Sequence, residues 1–204
     1  MIVISKPVDW EVDGLTSEGG GAFPLSSFIQ SVLPSAEFPL VYTAEMDFGF
    51  IHRLDVPSSG LVLGGTNLEG LFHLKWQIAV YSICREYLTV NHGHVQNGRT
   101  DVNKRIDATT AETMRSLTVD SGKPARSYLA SLAHLCSNGI ADDEEHASNM
   151  QPSGRCNFSA LAIAIHTGRR HQIRVHTRHV GHPVATDGRY TPRDVILHSF
   201  TPLR

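Results

Sequence analysis

Short apolar stretches, separated by polar and turn-forming residues, run through the whole chain. Residues 2–4 indicate a first strand, and residues 61–63 indicate a buried strand directly after a turn rich in Pro, Ser and Gly. Residues 85–90 alternate like a strand, and residues 128–133 are predicted to form another. Residues 159–165 alternate large and small apolar side chains, so we expect a buried strand with closely packed neighbours.

Helical spacing occurs in two places. A short helix is predicted from Leu25 to Leu33, and Pro34 stops it. Residues 66–69 have the form of a capping box and begin a second helix. The apolar residues of this second helix are Leu68, Leu71, Phe72, Ile78 and Ala79. We expect that stripe to be core, with Trp76 and Tyr81 packing at its edge.

Length and composition favour a globular protein. With 204 residues, 41% of them hydrophobic, the chain can bury a core as one domain or as two tightly joined lobes. No apolar run is long enough to cross a bilayer and no secretory signal is present, which predicts a soluble protein, cytoplasmic or organellar. The three cysteines are widely separated, so we expect reduced and mostly buried thiols.

Charge is distributed unevenly. The formal net charge of -2 is not typical of a protein that coats nucleic acid. Residues 166–179, however, contain four arginines, four histidines and no acid, whereas residues 142–145 are all acidic. The basic segment is either a phosphate-binding surface or a solvated helix face.

The spacing His176-x-x-His179-x-x-His182 raises the question of a metal site. Gly181 and Pro183 interrupt a continuous helix, and Arg174 and Arg178 would repel a cation. We therefore expect no metal.

One carboxylate, Asp55, lies in the turn that precedes the predicted buried strand, beside Arg53. Loops held by a rigid sheet are a common place for functional side chains. From spacing alone, the pair is a surface ion pair, a cap, a turn or a catalytic group.

Two motifs resemble those of RluA-type RNA pseudouridine synthases. Residues 52–60 resemble the signature loop HRLDxxTSG, and residues 167–176 resemble TGRxHQIRVH. Residues 181–190 and 196–199 resemble the following GHPIxGDxxY and LLHA segments. Lys6-Pro7 resembles the KPxG entry of the family, but Asp9 or Trp10 replaces its Gly, according to the alignment, so the turn must differ.

The resemblance implies a fold and an activity. The fold is α+β, with a mixed, largely antiparallel sheet in two halves, flanking helices and a central active-site cleft. The activity is isomerisation of uridine to pseudouridine in RNA, without metal or nucleotide cofactor. We expect a single catalytic domain over residues 1–204, without an S4-type RNA-binding domain, that acts as a monomer with RNA as its partner.

The same resemblance assigns catalytic residues. Asp55 matches the essential carboxylate, and Tyr87 matches a tyrosine that lies against the target base. Arg174 matches an arginine that pairs with the catalytic Asp, where a guanidinium favours the ionised form of the acid.

Four further residues are assigned to RNA binding. Arg53 resembles the arginine that fills the space left by an extruded base. Arg169 and His171 are expected to face RNA phosphates, and Leu197 belongs to the closing segment of the family.

Two other functions remain as alternatives. A catalytically inactive RNA-binding paralogue would be expected to lose Asp55, Tyr87 or Arg174, and all three are present. A glycosidase-like hydrolase would need a second acid, for which Asp187 is the candidate. The sequence identifies neither the RNA nor the uridine.

Overall fold

The computed structural model describes residues 1–13, 23–107, 115–136 and 156–192. Leu197 and the acidic segment 142–145 lie outside the described residues. The chain divides into two compact units, Met1–Ile83 and Cys84–Arg204. A single catalytic domain over the whole chain stays a prediction. In the described part of the chain, no helix is long and apolar enough to cross a membrane.

The first unit combines two small sheets with two helices. Its elements are β1 (Ile2–Lys6), β2 (Trp10–Glu11), β3 (Phe23–Pro24), α1 (Leu25–Val32), β4 (Gly60–Gly64) and α2 (Leu68–Ala79), with 3-10 turns at Pro39–Tyr42 and Ala44–Gly49. β1 pairs antiparallel with β4, so that Ile4 faces Val62 across the ladder. β2 and β3 form a short parallel pair. Helix α1 ends one residue before the predicted position.

Helix α2 buries a different face from the one predicted. It begins one residue later than the capping box implies, because Asn67 and not Thr66 is the N-cap. The side chain of Asn67 accepts a hydrogen bond from the backbone N–H of Gly70 at 2.8 Å. Leu71 and Leu74 are buried. Leu68, Phe72 and Trp76 are 52%, 55% and 59% exposed. The prediction of core positions was therefore wrong for Leu68, Phe72 and Ala79, all of which are exposed. Leu68 and Phe72 follow each other at i, i+4 on one exposed face.

The second unit is built on a four-stranded antiparallel sheet. Its elements are β5 (Arg85–His92), β6 (Arg99–Asn103), β7 (Ile106–Asp107), β8 (Leu117–Thr118), β9 (Arg126–Cys136), β10 (Cys156–Ile165) and α3 (Gln172–His179). The strand order is β5-β10-β9-β6, and β7 and β8 form a separate two-stranded sheet. Together with the first unit, this confirms the predicted α+β fold with largely antiparallel sheets.

One face of this sheet forms the core of the second unit. Leu161 and Ile163 of β10 are fully buried with Leu129 of β9, and Ile173 and Val180 pack against them. The alternation read from the sequence thus places the large side chains of β10 in the core. Leu88 and Leu132 of the flanking strands are exposed. Cys84 is an exposed free thiol, in contrast to the expected burial.

Candidate active site

Asp55 lies in a loop that is tied to the small sheet of the first unit. The backbone N–H of Ile51 donates to the carbonyl of Leu63 at 3.2 Å, and the backbone N–H of Leu63 donates to His52 Nε2 at 3.2 Å. The backbone N–H of Ser58 closes a turn onto the Asp55 carbonyl at 3.0 Å. Asp55 itself is half-buried. The HRLDxxSSG sequence therefore forms a fixed turn that displays one carboxylate.

The ammonium of Lys6 is buried beneath this loop. Its Nζ donates to the carbonyl oxygens of Pro7, Trp10 and Val56 at 2.9, 2.7 and 3.2 Å. Burial lowers the pKa of Lys6, and the charges of Asp9 and Asp55 oppose that shift. The loop therefore has a cation on its inner side that acts electrostatically on Asp55.

Asp9 occupies a backbone conformation that favours glycine. Its φ is 62°, and its N–H donates to the carbonyl of Val56 at 2.8 Å. Asp tolerates the left-handed region better than most residues. Asp9, not Trp10, therefore stands at the Gly position of the KPxG pattern, and it adopts a left-handed conformation that glycine takes readily.

Arg53 extends from the same loop into an ion pair with Asp13. Its guanidinium lies 3.4 Å from the Asp13 carboxylate. The Arg53 side chain is half exposed, so this pair is weak and can exchange for other anions.

Tyr87 lies on β5, the edge strand of the second unit. It pairs in register with Ile163 of β10, and the tyrosine is half-buried. At the start of the same strand, the guanidinium of Arg85 donates to the carbonyl of His166 at 3.0 Å. This contact fixes the strand to the segment that leads into α3.

Arg174, on α3, has Asp187 as its partner within the second unit. The guanidinium Nε and Nη2 each lie 2.7 Å from a carboxylate oxygen of Asp187, a bidentate arrangement. Their side chains are 18% and 6% exposed. The predicted pairing of Arg174 with Asp55 joins residues of different units and stays a prediction.

Asp187 is held in its ionised form. Burial raises the pKa of Asp187, but the hydrogen bonds and charge of Arg174 and the backbone N–H groups of Arg189 and Tyr190 outweigh it, so the pKa is below its ordinary value. A carboxylate held in this way is a poor general acid. This disfavours Asp187 as the second acid of a glycosidase-like hydrolase.

His171 and Tyr190 form a buried pair at the beginning of α3. His171 has a φ of 55° and is 7% exposed. Its Nδ1 lies 2.8 Å from the hydroxyl of Tyr190, and that hydroxyl accepts a hydrogen bond from the backbone N–H of Ser116 at 2.7 Å. The Arg174 guanidinium carbon lies 4.7 Å from the centre of the Tyr190 ring. Tyr190 therefore connects His171 with Arg174.

A second polar network anchors α3 to the sheet. Gln172 Nε2 donates to the carbonyl of Arg126 and to Ser127 Oγ, both at 2.9 Å. His176 Nδ1 lies 2.9 Å from the same Oγ, and its Nε2 lies 2.9 Å from the carbonyl of Lys104. Since Nε2 faces a carbonyl, it carries the proton, and Nδ1 accepts from the Ser127 hydroxyl. Burial lowers the pKa of His176 and favours this neutral form.

The model of the RNA pseudouridylate synthase family matches residues 1–179 of the chain. The chain belongs to this family. Ribosomal large subunit pseudouridine synthase D of Salmonella typhimurium is 28% identical over 193 residues, which are 95% of this chain and 50% of that protein. Ribosomal large subunit pseudouridine synthase C of Buchnera aphidicola is 26% identical over 200 residues, 96% of this chain and 52% of that protein. The chain thus spans about half the length of these curated relatives.

Solved structures of the pseudouridylate synthase family share the fold. Human RNA pseudouridylate synthase domain containing 1 superposes with a TM-score of 0.57 at 24% identity, covering 76% of this chain and 59% of that one. Human RNA pseudouridylate synthase domain containing 4 gives 0.55 at 17% identity, covering 94% and 66%. At these identities, the superpositions establish the α+β architecture of the family for this chain.

The predicted pseudouridine synthase residues fall into two groups. Asp55 and Arg53 share one loop of the first unit, and Tyr87, Arg169, His171 and Arg174 belong to the second unit. Within the second unit, Tyr190 brings His171 and Arg174 together. The half-buried Arg169 directs its Nε to the carbonyl of Pro124 at 2.9 Å. Leu197 is outside the described residues.

Sequence reasoning assigned no role to Lys6, which lies beneath the Asp55 loop, or to Ser127, which binds α3. The signal for Lys6 was present, since it follows Ile2 and Ile4 at the period of two of a strand and so shares their face. Ser127 gives no local signal, because its two partners on α3 are 45 and 49 residues away.

The three histidines of the spacing considered for a metal site lie against protein groups. His176 is held by Ser127 and Lys104, and His182 Nδ1 lies 2.9 Å from the carbonyl of His92. His179 Nδ1 lies 3.5 Å from Thr118 Oγ1. Among the residues that the structure describes, no three His, Cys, Asp or Glu side chains are grouped so that they could hold a metal ion.

Proposed function

We propose that this chain converts uridine to pseudouridine in RNA. The observation that carries the proposal is the family match over residues 1–179, a range that contains Asp55, Tyr87 and Arg174. The loop around Asp55 is held by hydrogen bonds, and this supports the proposal because a catalytic carboxylate must be held in a fixed geometry. Two of the similar proteins are named as synthases of the large ribosomal subunit, so ribosomal RNA is the first substrate to test.

The proposed reaction rearranges bonds without oxidation or reduction. The bond between N1 of uracil and C1′ of the ribose breaks, the base turns, and a bond forms between C5 and C1′. The proton on C5 is lost and N1 gains one, so substrate and product have the same atoms. No redox or nucleotide cofactor is needed for this balance.

Each predicted residue has a role in this scheme. Asp55 acts on the target nucleotide to drive cleavage of the N1 bond, and Arg174 favours the ionised form of that carboxylate. Tyr87 stacks its ring against the base and offers its hydroxyl to the protons of the reacting ring.

The RNA-handling roles are also part of the proposal. Arg53 fills the space left by the extruded base, and its weak pair with Asp13 is easily exchanged. Arg169 and Leu197 contact RNA. The burial of His171 and its bond to Tyr190 favour a positioning role for that histidine instead of direct phosphate contact.

The test compares two carboxylates of the first unit. Wild type, Asp55→Asn and Asp47→Asn are incubated with unmodified transcripts of large-subunit ribosomal RNA, and pseudouridine is mapped by carbodiimide labelling and primer extension. Asp47 is the matched control, since its side chain is 59% exposed and pairs only with Lys75 at 3.4 Å among the described contacts. We expect a modified site with wild type and Asp47→Asn, and none with Asp55→Asn.

Two results would contradict the proposal. Pseudouridine formed equally by Asp55→Asn would remove Asp55 from the chemistry. RNA binding by all three proteins with no pseudouridine from any of them would make the chain an RNA-binding module, the inactive paralogue considered above.

A further inference from the structure

Arg85, at the beginning of β5, carries a positive charge that no described carboxylate compensates. Its one hydrogen bond to the described residues runs from Nη2 to the carbonyl of His166 at 3.0 Å. Its Nε is buried and has no hydrogen-bond partner in the same part of the chain. Glu86, the next residue, projects from the opposite face of the strand. Because Arg85 is half-buried, its charge is only partly hydrated, and a bound anion would stabilise it.

The turn before α3 lies directly against this guanidinium. Gly168 makes room for it, since a Cβ atom at that position would lie 2.6 Å from Arg85 Nη1. The turn itself is fixed by Gln172, whose Oε1 accepts the Thr167 hydroxyl at 2.7 Å and the Arg169 N–H at 3.0 Å. The guanidinium of Arg85 is therefore held against a fixed backbone, as a preorganised binding group must be.

Arg169 adds a second guanidinium next to Gly168 in the chain. Its Nε donates to the carbonyl of Pro124 at 2.9 Å, which is the one hydrogen bond of this side chain to the described residues. Arg85 and Arg169 are thus both bound to backbone carbonyls and not to carboxylates. Two such groups near one turn create a local positive potential.

Arg85 also shares a face of β5 with the candidate catalytic tyrosine. Side chains two positions apart on a strand point to the same side and are about 7 Å apart. Arg85 lies opposite Ile165 and Tyr87 lies opposite Ile163 in the ladder with β10. Ile173 of α3 packs against the core cluster that contains Ile163. Arg85 and Tyr87 therefore lie at the edge of the sheet face on which α3 packs.

This position selects the class of anion. In the proposed reaction the target base lies against Tyr87, so the sugar-phosphate backbone of the same RNA passes within reach of a residue about 7 Å away. A guanidinium binds phosphate oxygens in a fork geometry. A half-buried side chain on an edge strand does not enclose a small free anion as metabolite sites do.

We propose that Arg85 binds the RNA backbone phosphate next to the uridine that lies against Tyr87. This inference rests on the proposed function, which makes RNA the substrate and places the base on Tyr87. Arg85 is then a substrate-binding residue that takes no part in bond breaking. Its bond to His166 and its contact with Gly168 set the position of the phosphate relative to the turn before α3.

The experiment measures RNA binding, its dependence on salt, and turnover. Wild type, Arg85→Gln and Arg85→Lys are compared by fluorescence anisotropy on the unmodified large-subunit ribosomal transcript at several salt concentrations, and pseudouridine formation is followed in the same samples. Arg105→Gln is the matched control. Arg105 also donates to one backbone carbonyl, that of Gly122 at 2.7 Å, but it follows β6, at the opposite edge of the sheet from β5. Thermal unfolding shows whether each variant keeps the fold.

We expect Arg85→Gln to raise Kd about 10-fold and to reduce the slope of log Kd against log salt by about one. The KM should rise with Kd while kcat at saturating RNA stays at the wild-type value, since the lost interaction binds substrate and transition state equally. Arg85→Lys keeps the charge and should keep the slope. Arg105→Gln should match wild type in Kd, slope and KM.

Three results would overturn the proposal. A wild-type slope in Arg85→Gln, with kcat lowered in both Arg85 variants, would make Arg85 a structural link between β5 and residue 166. An equal loss of slope in Arg105→Gln would assign RNA binding to a diffuse basic surface. Inorganic phosphate that stabilises wild type but not Arg85→Gln against unfolding, with RNA binding unchanged, would assign Arg85 to a small anion.

Pseudouridine formation separates the failure of this proposal from the failure of the proposed function. If wild type forms pseudouridine and Arg85→Gln binds RNA like wild type, the assignment of Arg85 fails and the activity stands. If Arg85→Gln loses affinity and slope while wild type forms no pseudouridine, Arg85 binds RNA phosphate and the activity fails.

Discussion

The buried Lys6 ammonium donates a hydrogen bond to the carbonyl oxygen of Val56, the residue after Asp55, at 3.2 Å. The Asp9 N–H reaches the same oxygen at 2.8 Å. One backbone carbonyl thus joins the end of β1 and the following turn to the loop that displays the candidate carboxylate. The position of Asp55 therefore depends on a residue 49 positions earlier in the chain.

Replacing this lysine should loosen the loop. Lys6→Met keeps the apolar stem but leaves the carbonyls of Pro7, Trp10 and Val56 without the ammonium donor. We expect a loss of about 2 kcal/mol in the free energy of unfolding, measured with urea. Displacement of Asp55 should reduce pseudouridine formation by about 100-fold. Lys75→Met, which removes a more exposed lysine from α2, should change neither quantity appreciably. Normal turnover by Lys6→Met would show that the ammonium does not position the loop.

Tyr87→Phe separates stacking from proton transfer. Phenylalanine keeps the ring on β5 but removes the hydroxyl. We expect kcat for pseudouridine formation to fall about 100-fold while RNA affinity stays at the wild-type value. A loss of affinity with unchanged kcat would limit Tyr87 to binding.

Asp187→Ala should be strongly destabilising. It leaves the guanidinium of Arg174 without its bidentate partner in a site where Arg174 is mostly buried. We expect a loss of about 3 kcal/mol in the free energy of unfolding. Adding Arg174→Met to Asp187→Ala should cost less than the sum of the two single changes, because it removes the buried charge. Additive costs in this double-mutant cycle would mean that the pair does not contribute as a unit.

His176 predicts a pH dependence of stability. Because burial lowers its pKa, the unfolded chain binds a proton more readily than the folded chain. The free energy of unfolding should therefore decrease as the pH falls from about 7 towards 5, by at most about 1.4 kcal/mol per pH unit for one histidine. Burial also lowers the pKa of His92, which adds a contribution of the same sign.

His176→Asn should reduce the slope of the free energy of unfolding against pH without abolishing it. Urea midpoints at pH 5, 6, 7 and 8 measure the effect, and only the slope is compared, since the substitution also weakens the contacts to Ser127 and Lys104. His73→Asn, on the exposed side of α2, is the control and should keep the wild-type slope. If the slope in His176→Asn equalled that of wild type, His176 would not be a source of the pH dependence.

Gly65→Ala tests the junction between β4 and α2. A Cβ atom at position 65 would lie 2.6 Å from the Cα of Leu71, which is backbone and cannot rotate away. We expect a loss of at least about 2 kcal/mol in the free energy of unfolding, measured with urea. Gly98→Ala does not serve as a neutral control because Gly98 has a φ of 107°, whereas Gly188→Ala meets open space and should be nearly neutral.

Local sequence patterns predicted the elements but not always the face that is buried. In α2, apolar side chains occupy two faces, one with Leu71 and Leu74 and one with Phe72 and Trp76. The capping residue Asn67 sets where the helix begins but carries no information on its rotation against the sheet. Which face of α2 is buried depends on the elements that pack against it. The sequence would predict that face only if the apolar residues of the helix formed a single stripe.

The candidate active site also contains contacts that the sequence alone does not predict. The motifs identified Asp55 and Arg174 because each lies in a specific run of residues. The bond between Arg174 and Asp187 needs the chain to turn back after α3, and helical spacing does not predict a contact 13 residues away. The sequence does not predict the left-handed backbone at Asp9 either, because asparagine and aspartate occupy such turns without a sequence signature of their own.

The contacts of α3 have a consequence for the order of folding. The bonds of His176 to Ser127 and to Lys104 span 49 and 72 residues, and the bond of Tyr190 to Ser116 spans 74. Closing such long loops is slow and costs chain entropy before any contact compensates for it. During synthesis, strands β6 and β9 are made before α3. The polar groups of Lys104 and Ser127 that bind His176 therefore stay hydrated until the last quarter of the chain has been made.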